Sequence, residues 1–560
     1  MEETLTQKLD RIKKEAQERE AQHRAVALNK KYITLTKTPI NIEALSVIPE
    51  TTAREASVAA IERKVNQLAV VTLDPTRAKT KQALDDLVAK GYTVTDYIVS
   101  PSSMDYALSY YRYVAKETEK ITGKVQIEQR VIELADRLNS IAGLKEVLSE
   151  EEFSPSKAGE VLEIISRGAM GTRASDIHLE PSEHDGKLRL RIDGNLHDIF
   201  TFTKDFYPFL LTRIKLLSSL KLNVTKEAQD GRFTIRFPQK DVEVRVAIAP
   251  AQFGEVAVMR LLDPDAIKIT LPQLGLREDD LAIINVELNR PNGMILNTGP
   301  TGSGKTTTLY TFLGAKADPT EKIITIEDPI EYHLEGIEQT QINNASGYTF
   351  ANGLRSLMRQ DPDVILVGEI RDQETAEIAI QAALTGHLVF STLHTNSAAG
   401  AVPRLLDLNV KPQSIGPALT LVIAQRLIRR LCTNCKTPMP LDADLKSKFD
   451  QFVAALPTRV NRATYNTPTL FAPIGCDVCN NTGYKGRVAI YELFTKQPGL
   501  EELIANMAGE QTFLKFAREN GMTTMQEDGI LKVIAGMTTF DEVEGVTGPI
   551  EWPTDSKNEI

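Results

Sequence analysis

A chain of 560 residues is too long for one hydrophobic core, and its length alone predicts two to four domains. Hydrophobic residues at 42%, charged residues at 25% and a net charge of -10 suit a water-facing globular protein. They argue against a surface built to neutralise nucleic-acid phosphates, so direct nucleic-acid binding is not expected.

No apolar run approaches the roughly 20 residues that span a bilayer; "ALTLVIAQRL" is broken by polar side chains. The first residues are charged throughout and carry no apolar signal core, so a cytosolic protein is expected. The four cysteines all lie between positions 432 and 479. So few thiols in a reducing compartment read as metal ligands rather than disulfides.

Residues 1–30 read as a charged helical arm facing water. Residues 31–125 read as a small α/β domain: "LAVVTLDP" is a strand, "TKQALDDLVAKG" a helix closed by Gly91, and "YTVTDYIVS" another strand. "IEQRVIELADRLNSIAGL" predicts one continuous helix within a linker over 126–154. From 155 to 272 the pattern becomes alternation. In "KLRLRIDGNLHDIF" Leu188, Leu190 and Ile192 face one way, Arg189 and Arg191 the other, and Asp193-Gly194 supplies a hairpin turn. An antiparallel α+β domain follows from this. From 273 to 545 the continuous apolar strands "GMILNTG", "KIITIED", "VILVGEI" and "LVFSTLH" alternate with helices, which predicts a parallel sheet covered on both faces. Residues 546–560 read as a structureless tail.

"GPTGSGKTTT" satisfies G-x-x-x-x-G-K-[ST] between an apolar strand and a helix. The residues of the loop are Gly299, Pro300, Thr301, Gly302, Ser303, Gly304, Lys305, Thr306 and Thr307. Its glycines let backbone N–H groups turn toward a phosphate, Lys305 would reach the β/γ oxygens, and the Thr306 hydroxyl would hold magnesium. This predicts a nucleoside-triphosphate site. "ITIEDPIEY" then presents Glu327, Asp328 and Glu331 at the end of a second strand, where carboxylates can bind magnesium or polarise an attacking water. "VILVGEIRD" places Gly368 and then Glu369 where an aspartate usually follows the strand. His387 and His394 flank another strand; a histidine at a strand end is more often a packing residue, but His394, at the C-terminal edge, could sense the γ-phosphate.

"CTNC" and "CDVC" form two C-x2-C knuckles, Cys432, Cys435, Cys476 and Cys479. Four thiolates so spaced can close a tetrahedral zinc site with no open position, hence a structural one, within a module over about 430–485. The insert between the knuckles is expected to carry its own helix in "LDADLKSKFDQFVAALP".

The combination of "GPTGSGKTT", "IEDPIEY", "DPDVILVGEIRD" and "TGHLVFSTLHT", preceded by "RASDIHLEP" and "DGRF", resembles the secretion-superfamily ATPases in their type II secretion and type IV pilus assembly branch. The resemblance implies a RecA-like motor domain with a zinc insert, behind an α+β, PAS-like domain and a small N-terminal α/β domain. It implies that Glu369 is the magnesium-associated acid, Glu331 the general base and His394 a member of the so-called His box. Arg245 and Arg260 match the two arginines that the family delivers from the preceding domain to γ-phosphate. The implied cofactors are ATP, Mg2+ and Zn2+. The implied partners are a homo-hexamer, an inner-membrane platform protein and an adaptor of the machine, at the inner face of the cytoplasmic membrane. A nucleic-acid motor, a DNA-uptake pilus motor and a non-hydrolysing scaffold are the alternatives. Residues 1–60 lack the pattern that binds cyclic di-GMP in some family members, so that ligand is not expected.

Overall fold

The computed structural model describes residues 5–35, 38, 40–113 and 123–553. The chain divides into two compact units, Met1–Leu261 and Leu262–Ile560. Each is described by itself.

In the first unit, a four-stranded sheet orders its strands as Lys31–Tyr32, Thr93–Ile98, Gln67–Thr72 and Val58–Lys64. Helices Ala78–Ala89 and Pro101–Ser109 accompany it, over a core that includes Leu45, Val70 and Met104. The helix Leu5–Ala27 is not simply solvated. Its second half buries Ala21 and Ala25 against Ile98, and the Glu18 carboxylate accepts from the hydroxyls of Tyr32, Ser100 and Ser103. Two small side chains on a charged helix leave no visible apolar stripe, which is why the sequence reads as an arm.

The α+β part carries a seven-stranded sheet, in the order Lys124–Gln126, Gln229–Arg236, Asp241–Ala251, Gly254–Leu262, Ala174–Pro181, Asp185–Ile192 and Asn195–Thr203. Asp193 and Gly194 both take positive φ, 48° and 94°, as a two-residue hairpin between Ile192 and Asn195 requires. The single helix expected over 127–144 is broken into Gln129–Glu133, a short turn and Ile141–Glu150. Ser140 ends the short turn in extended conformation and caps the second helix, accepting from the Gly143 N–H at 3.1 Å. Leu138, Leu144, Val147 and Leu148 join the core of this domain, so the segment is part of it rather than a linker.

The second unit is built on a seven-stranded sheet whose strands are β1 (Gly293–Thr298), β2 (Ile323–Glu327), β3 (Glu338–Gln341), β4 (Val364–Val367), β5 (Leu388–Leu393), β6 (Leu419–Leu431) and β7 (Tyr484–Thr495). Their spatial order is β3-β2-β4-β5-β1-β6-β7. All neighbours run parallel except β6 and β7. Met294, Leu296, Ile326 and Val367 enter one core, while Ile295, Ile323, Leu366 and Phe390 enter another on the opposite face. Burial on both faces explains why these strands read as continuous apolar runs. Between β6 and β7 lies the cysteine module, with the helix Ala443–Ala455 capped by Asp442 and a two-stranded sheet of Thr437–Met439 and Leu470–Ala472. The expected structureless tail is ordered as far as 553. Trp552 packs edge-on against Phe449, Phe452 and Phe540, an aromatic cluster that one tryptophan amid polar residues does not announce.

Candidate functional site

The parallel sheet brings four motifs to one edge. β1 ends at Thr298, and the loop that follows leads into the helix Lys305–Lys316. Gly299 takes φ of +148°, and a methyl group there would stand 2.6 Å from the Gln425 carbonyl oxygen, so only glycine fits. Gly304 takes φ of 90° at the helix start. The Lys305 ammonium donates to the carbonyls of Gly299 at 2.7 Å and Pro300 at 3.1 Å. Burial lowers its pKa, and the negative charges of Glu369 and Glu331 act in the opposite direction. Both acids therefore lie within electrostatic reach of the P-loop lysine.

β4 stands two strands from β1. Beyond Val367 the Gly368 N–H still bonds the Ile326 carbonyl at 2.8 Å, and Thr392 Oγ1 donates to the Gly368 carbonyl at 2.8 Å. Glu369 follows at the sheet edge, with one carboxylate oxygen 2.5 Å from Arg371 Nη2 and the other 3.4 Å from His394 Nε2. The structure thus brings together Lys305, Glu369 and His394 on successive elements. Thr298 ties the P-loop strand to the loop after β5, donating to the carbonyl oxygens of Leu393 at 3.1 Å and Thr395 at 3.0 Å and accepting from the Thr395 N–H at 2.8 Å.

The acids of "IEDPIEY" separate. Glu327 is 4% exposed and accepts from the hydroxyls of Tyr310 and Thr325 and from Gln339 Nε2. Burial raises its pKa, and its hydrogen bonds spend its acceptor capacity. It braces the sheet against the P-loop helix, with three donors fixing its carboxylate inside the fold. Asp328 is exposed, and Glu331 is half-buried, leaving it as the acid that electrostatically senses Lys305. His387 sits at the opposite end of β5, its Nδ1 2.9 Å from the Ala382 carbonyl at a helix end, and serves packing.

The arrangement can bind a nucleoside triphosphate and place carboxylates beside its terminal phosphate. The family profile of the type II/IV secretion system protein matches residues 154–545. The chain belongs to that family. It is a P-loop ATPase. It is 37% identical over 529 residues to the type IV pilus assembly ATPase PilB of Myxococcus xanthus, spanning 93% of this chain and 90% of that one. It is 42% identical over 416 residues to the type II secretion system protein E of Pseudomonas aeruginosa, spanning 74% and 80%. The crystal structure of the Legionella pneumophila ATPase DotB shares the fold, with a TM-score of 0.50 at 20% identity over 71% of this chain and 97% of that one.

In this family member the four cysteines lie at the ends of β6 and β7. Their sulfur atoms all fall within 4.8 Å of one another, and Cys479 Sγ stands 3.8 Å from both Cys435 Sγ and Cys476 Sγ. That spacing is far beyond a disulfide and matches the edge, about 3.8 Å, of a tetrahedron of thiolates at about 2.3 Å from zinc. The cluster could hold a zinc ion.

Arg245 and Arg260 lie in the first unit. They alternate with buried Val244, Val246, Met259 and Leu261, and so share the polar face of adjacent strands. Arg260 Nε donates to Asp176 Oδ1 at 2.9 Å, and Asp176 is 3% exposed. Asp176, inside "RASDIHLEP", is a residue whose role the sequence does not show, since its partner is 84 positions away. Among the described residues no helix is long and apolar enough to cross a membrane.

Proposed function

We propose that this ATPase works as a hexameric motor that drives an inner-membrane platform protein to assemble a type IV pilus or a secretion pseudopilus, at the inner face of the cytoplasmic membrane. The observation that carries the reading is the convergence of Lys305, Glu369 and His394 on one sheet edge in a chain that matches a pilus assembly ATPase over nine-tenths of both lengths.

The loop Gly299–Thr307 binds ATP, with Lys305 leaving the Gly299 and Pro300 carbonyls for the β/γ oxygens. Thr306 and Glu369 would hold magnesium, which when bound neutralises charge on those oxygens. Glu331 takes a proton from the attacking water as its oxygen bonds the γ-phosphorus and the bond to the β-phosphate oxygen breaks. Arg371 and His394 hold Glu369 in place. Arg245 and Arg260 reach the γ-phosphate from the preceding domain of the same or a neighbouring subunit. Loss of that phosphate then releases one body from the other, which is how turnover becomes movement. Cys432, Cys435, Cys476 and Cys479 would hold zinc as a structural clamp.

The test is Glu331→Gln. It is expected to bind ATP as tightly as the wild type while turnover falls by a factor of about 10² or more, the usual worth of a general base. Normal turnover would move the base elsewhere. Lys305→Ala is expected to lose tight nucleotide binding altogether. For the motor role, a strain carrying Glu331→Gln is expected to lose surface filaments or secretion while the protein still sediments with membranes that contain the platform. Filaments at wild-type levels would overturn it.

A further inference from the structure

The strand β6 carries a second basic group to the P-loop. Arg426 lies just past the pairing of Thr298 with Ala424, so its guanidinium reaches over the end of β1. A methyl group built on Gly299 would meet Arg426 Nη1 at 3.1 Å and Ser303 Oγ at 2.7 Å, which puts both polar groups around one point at the root of the loop. The guanidinium also crosses to the loop that carries His394, with Nη2 donating to the backbone carbonyl and to Oδ1 of Asn396, both at 3.2 Å. Nη1 donates to the Gln425 carbonyl, again at 3.2 Å.

These partners are all neutral, and at 3.2 Å all are at the long end of the N–H···O range. No carboxylate among the described residues lies within 4 Å of Arg426. Its neighbour on the same strand, Arg429, shows what an anchored arginine looks like here: Nη2 and Nε stand 2.5 and 2.9 Å from Glu542 Oε1. Burial disfavours the Arg426 charge, the buried Glu492 carboxylate favours it from beyond contact distance, and that charge in turn depresses the Lys305 pKa. A half-buried guanidinium with no acid in direct contact, next to a lysine, is costly unless an anion joins them. Ser303 sharpens the point. It is 4% exposed, and its Oγ has no hydrogen-bond partner. A buried hydroxyl left unpaired beside an arginine that no carboxylate contacts marks a place for ligand oxygens.

We propose that Arg426 reads the terminal phosphate of ATP within its own subunit, beside Ser303, and reports its presence to the His394 loop through Asn396. The proposal rests on the nucleotide reading of Gly299–Thr307 and adds to it a residue outside the four motifs of the nucleotide site. The terminal phosphate is favoured over the others because Arg426 extends toward the loop of His394, whose imidazole contacts Glu369. A guanidinium has five donors in a fixed fork, so it can hold a phosphate oxygen and the Asn396 carbonyl together, which a lysine cannot.

Binding of ADP and of a non-hydrolysable ATP analogue, each with magnesium, to the full-length protein tests this. Arg426→Ala is expected to weaken the analogue roughly ten- to a hundredfold, the worth of a hydrogen bond to an ionised group, and ADP by less than about threefold. Arg426→Lys is expected to restore part of the analogue's affinity, yet not the protection that the wild type gains in the 394–397 loop by hydrogen exchange. Equal losses for both nucleotides, or no loss, would overturn the proposal. If the alanine variant does not fold, Arg426→Gln, which keeps the neutral contacts, is read by the same ratio. Lys305→Ala serves as the separate control. If it still binds both nucleotides, the P-loop reading fails on its own.

Discussion

Glycine before glutamate at the end of β4 inverts the usual order of an apolar strand and its acid, and the neighbouring backbone shows why. A Cβ at position 368 would stand 3.2 Å from the Ile326 carbonyl oxygen and 3.3 Å from the Glu327 Cα, because β4 still pairs with β2 there. The acid moves one place on, and glutamate's extra methylene supplies reach. Gly368→Asp is therefore expected to lose about 1–3 kcal/mol to crowding, and more from a carboxylate forced against a carbonyl, as well as ATPase activity. Urea unfolding and turnover together check it; wild-type values for both would show that the strand has room. Arg371 and His394, which hold the two oxygens of Glu369, are expected to lower turnover without abolishing nucleotide binding when changed to alanine. Loss of binding in either variant would instead make them ligands of the nucleotide.

At the scale of elements, the motor depends on joints between segments far apart in sequence. Asp528, with 0% exposure, sits 2.5 Å from Arg277 Nη1 and 2.6 Å from Lys532 Nζ, and accepts from the Tyr491 N–H at 2.9 Å. Arg459, from the cysteine module, bonds Asp279 and Asp280 on the same joint. Removing one partner strands the others without water. Asp528→Ala is thus expected to cost about 3–5 kcal/mol in chemical denaturation, far more than a surface acid. A loss under about 1 kcal/mol would show that the joint relaxes freely. The cysteine cluster is a second joint, closing the ends of β6 and β7. Stripping metal with a chelator, or Cys435→Ser, is expected to lower the melting temperature while nucleotide binding at Lys305 persists. Unchanged melting in a demonstrably metal-free protein would remove zinc from the account.

At the scale of the whole molecule, the proposed motor needs Arg245 and Arg260 at a nucleotide held by the second unit. Asp176 anchors Arg260 through Nε. Asp176→Asn keeps the size and an acceptor but loses the charge. It is expected to lower kcat with little change in nucleotide affinity, and a change confined to stability would make Asp176 merely structural. If the arginines act across subunits, mixing inactive Lys305→Ala and Arg260→Ala proteins is expected to recover part of the activity, because intact loops meet intact arginines at mixed interfaces. No recovery would place the arginines in the same chain as the site they serve. The sequence by itself determined the P-loop, the buried parallel strands and the paired knuckles, because each is a local pattern whose spacing is its mechanism. Only the tertiary structure decided that Glu327 is buried and spent, that residues 127–150 belong to a core, that Trp552 is anchored, and that Asp176 and Arg426 face charged or phosphate-binding neighbours. Many of those partners lie on other elements, up to 84 residues away for Asp176, and the burial and electrostatics they create exist only once the chain has closed around them.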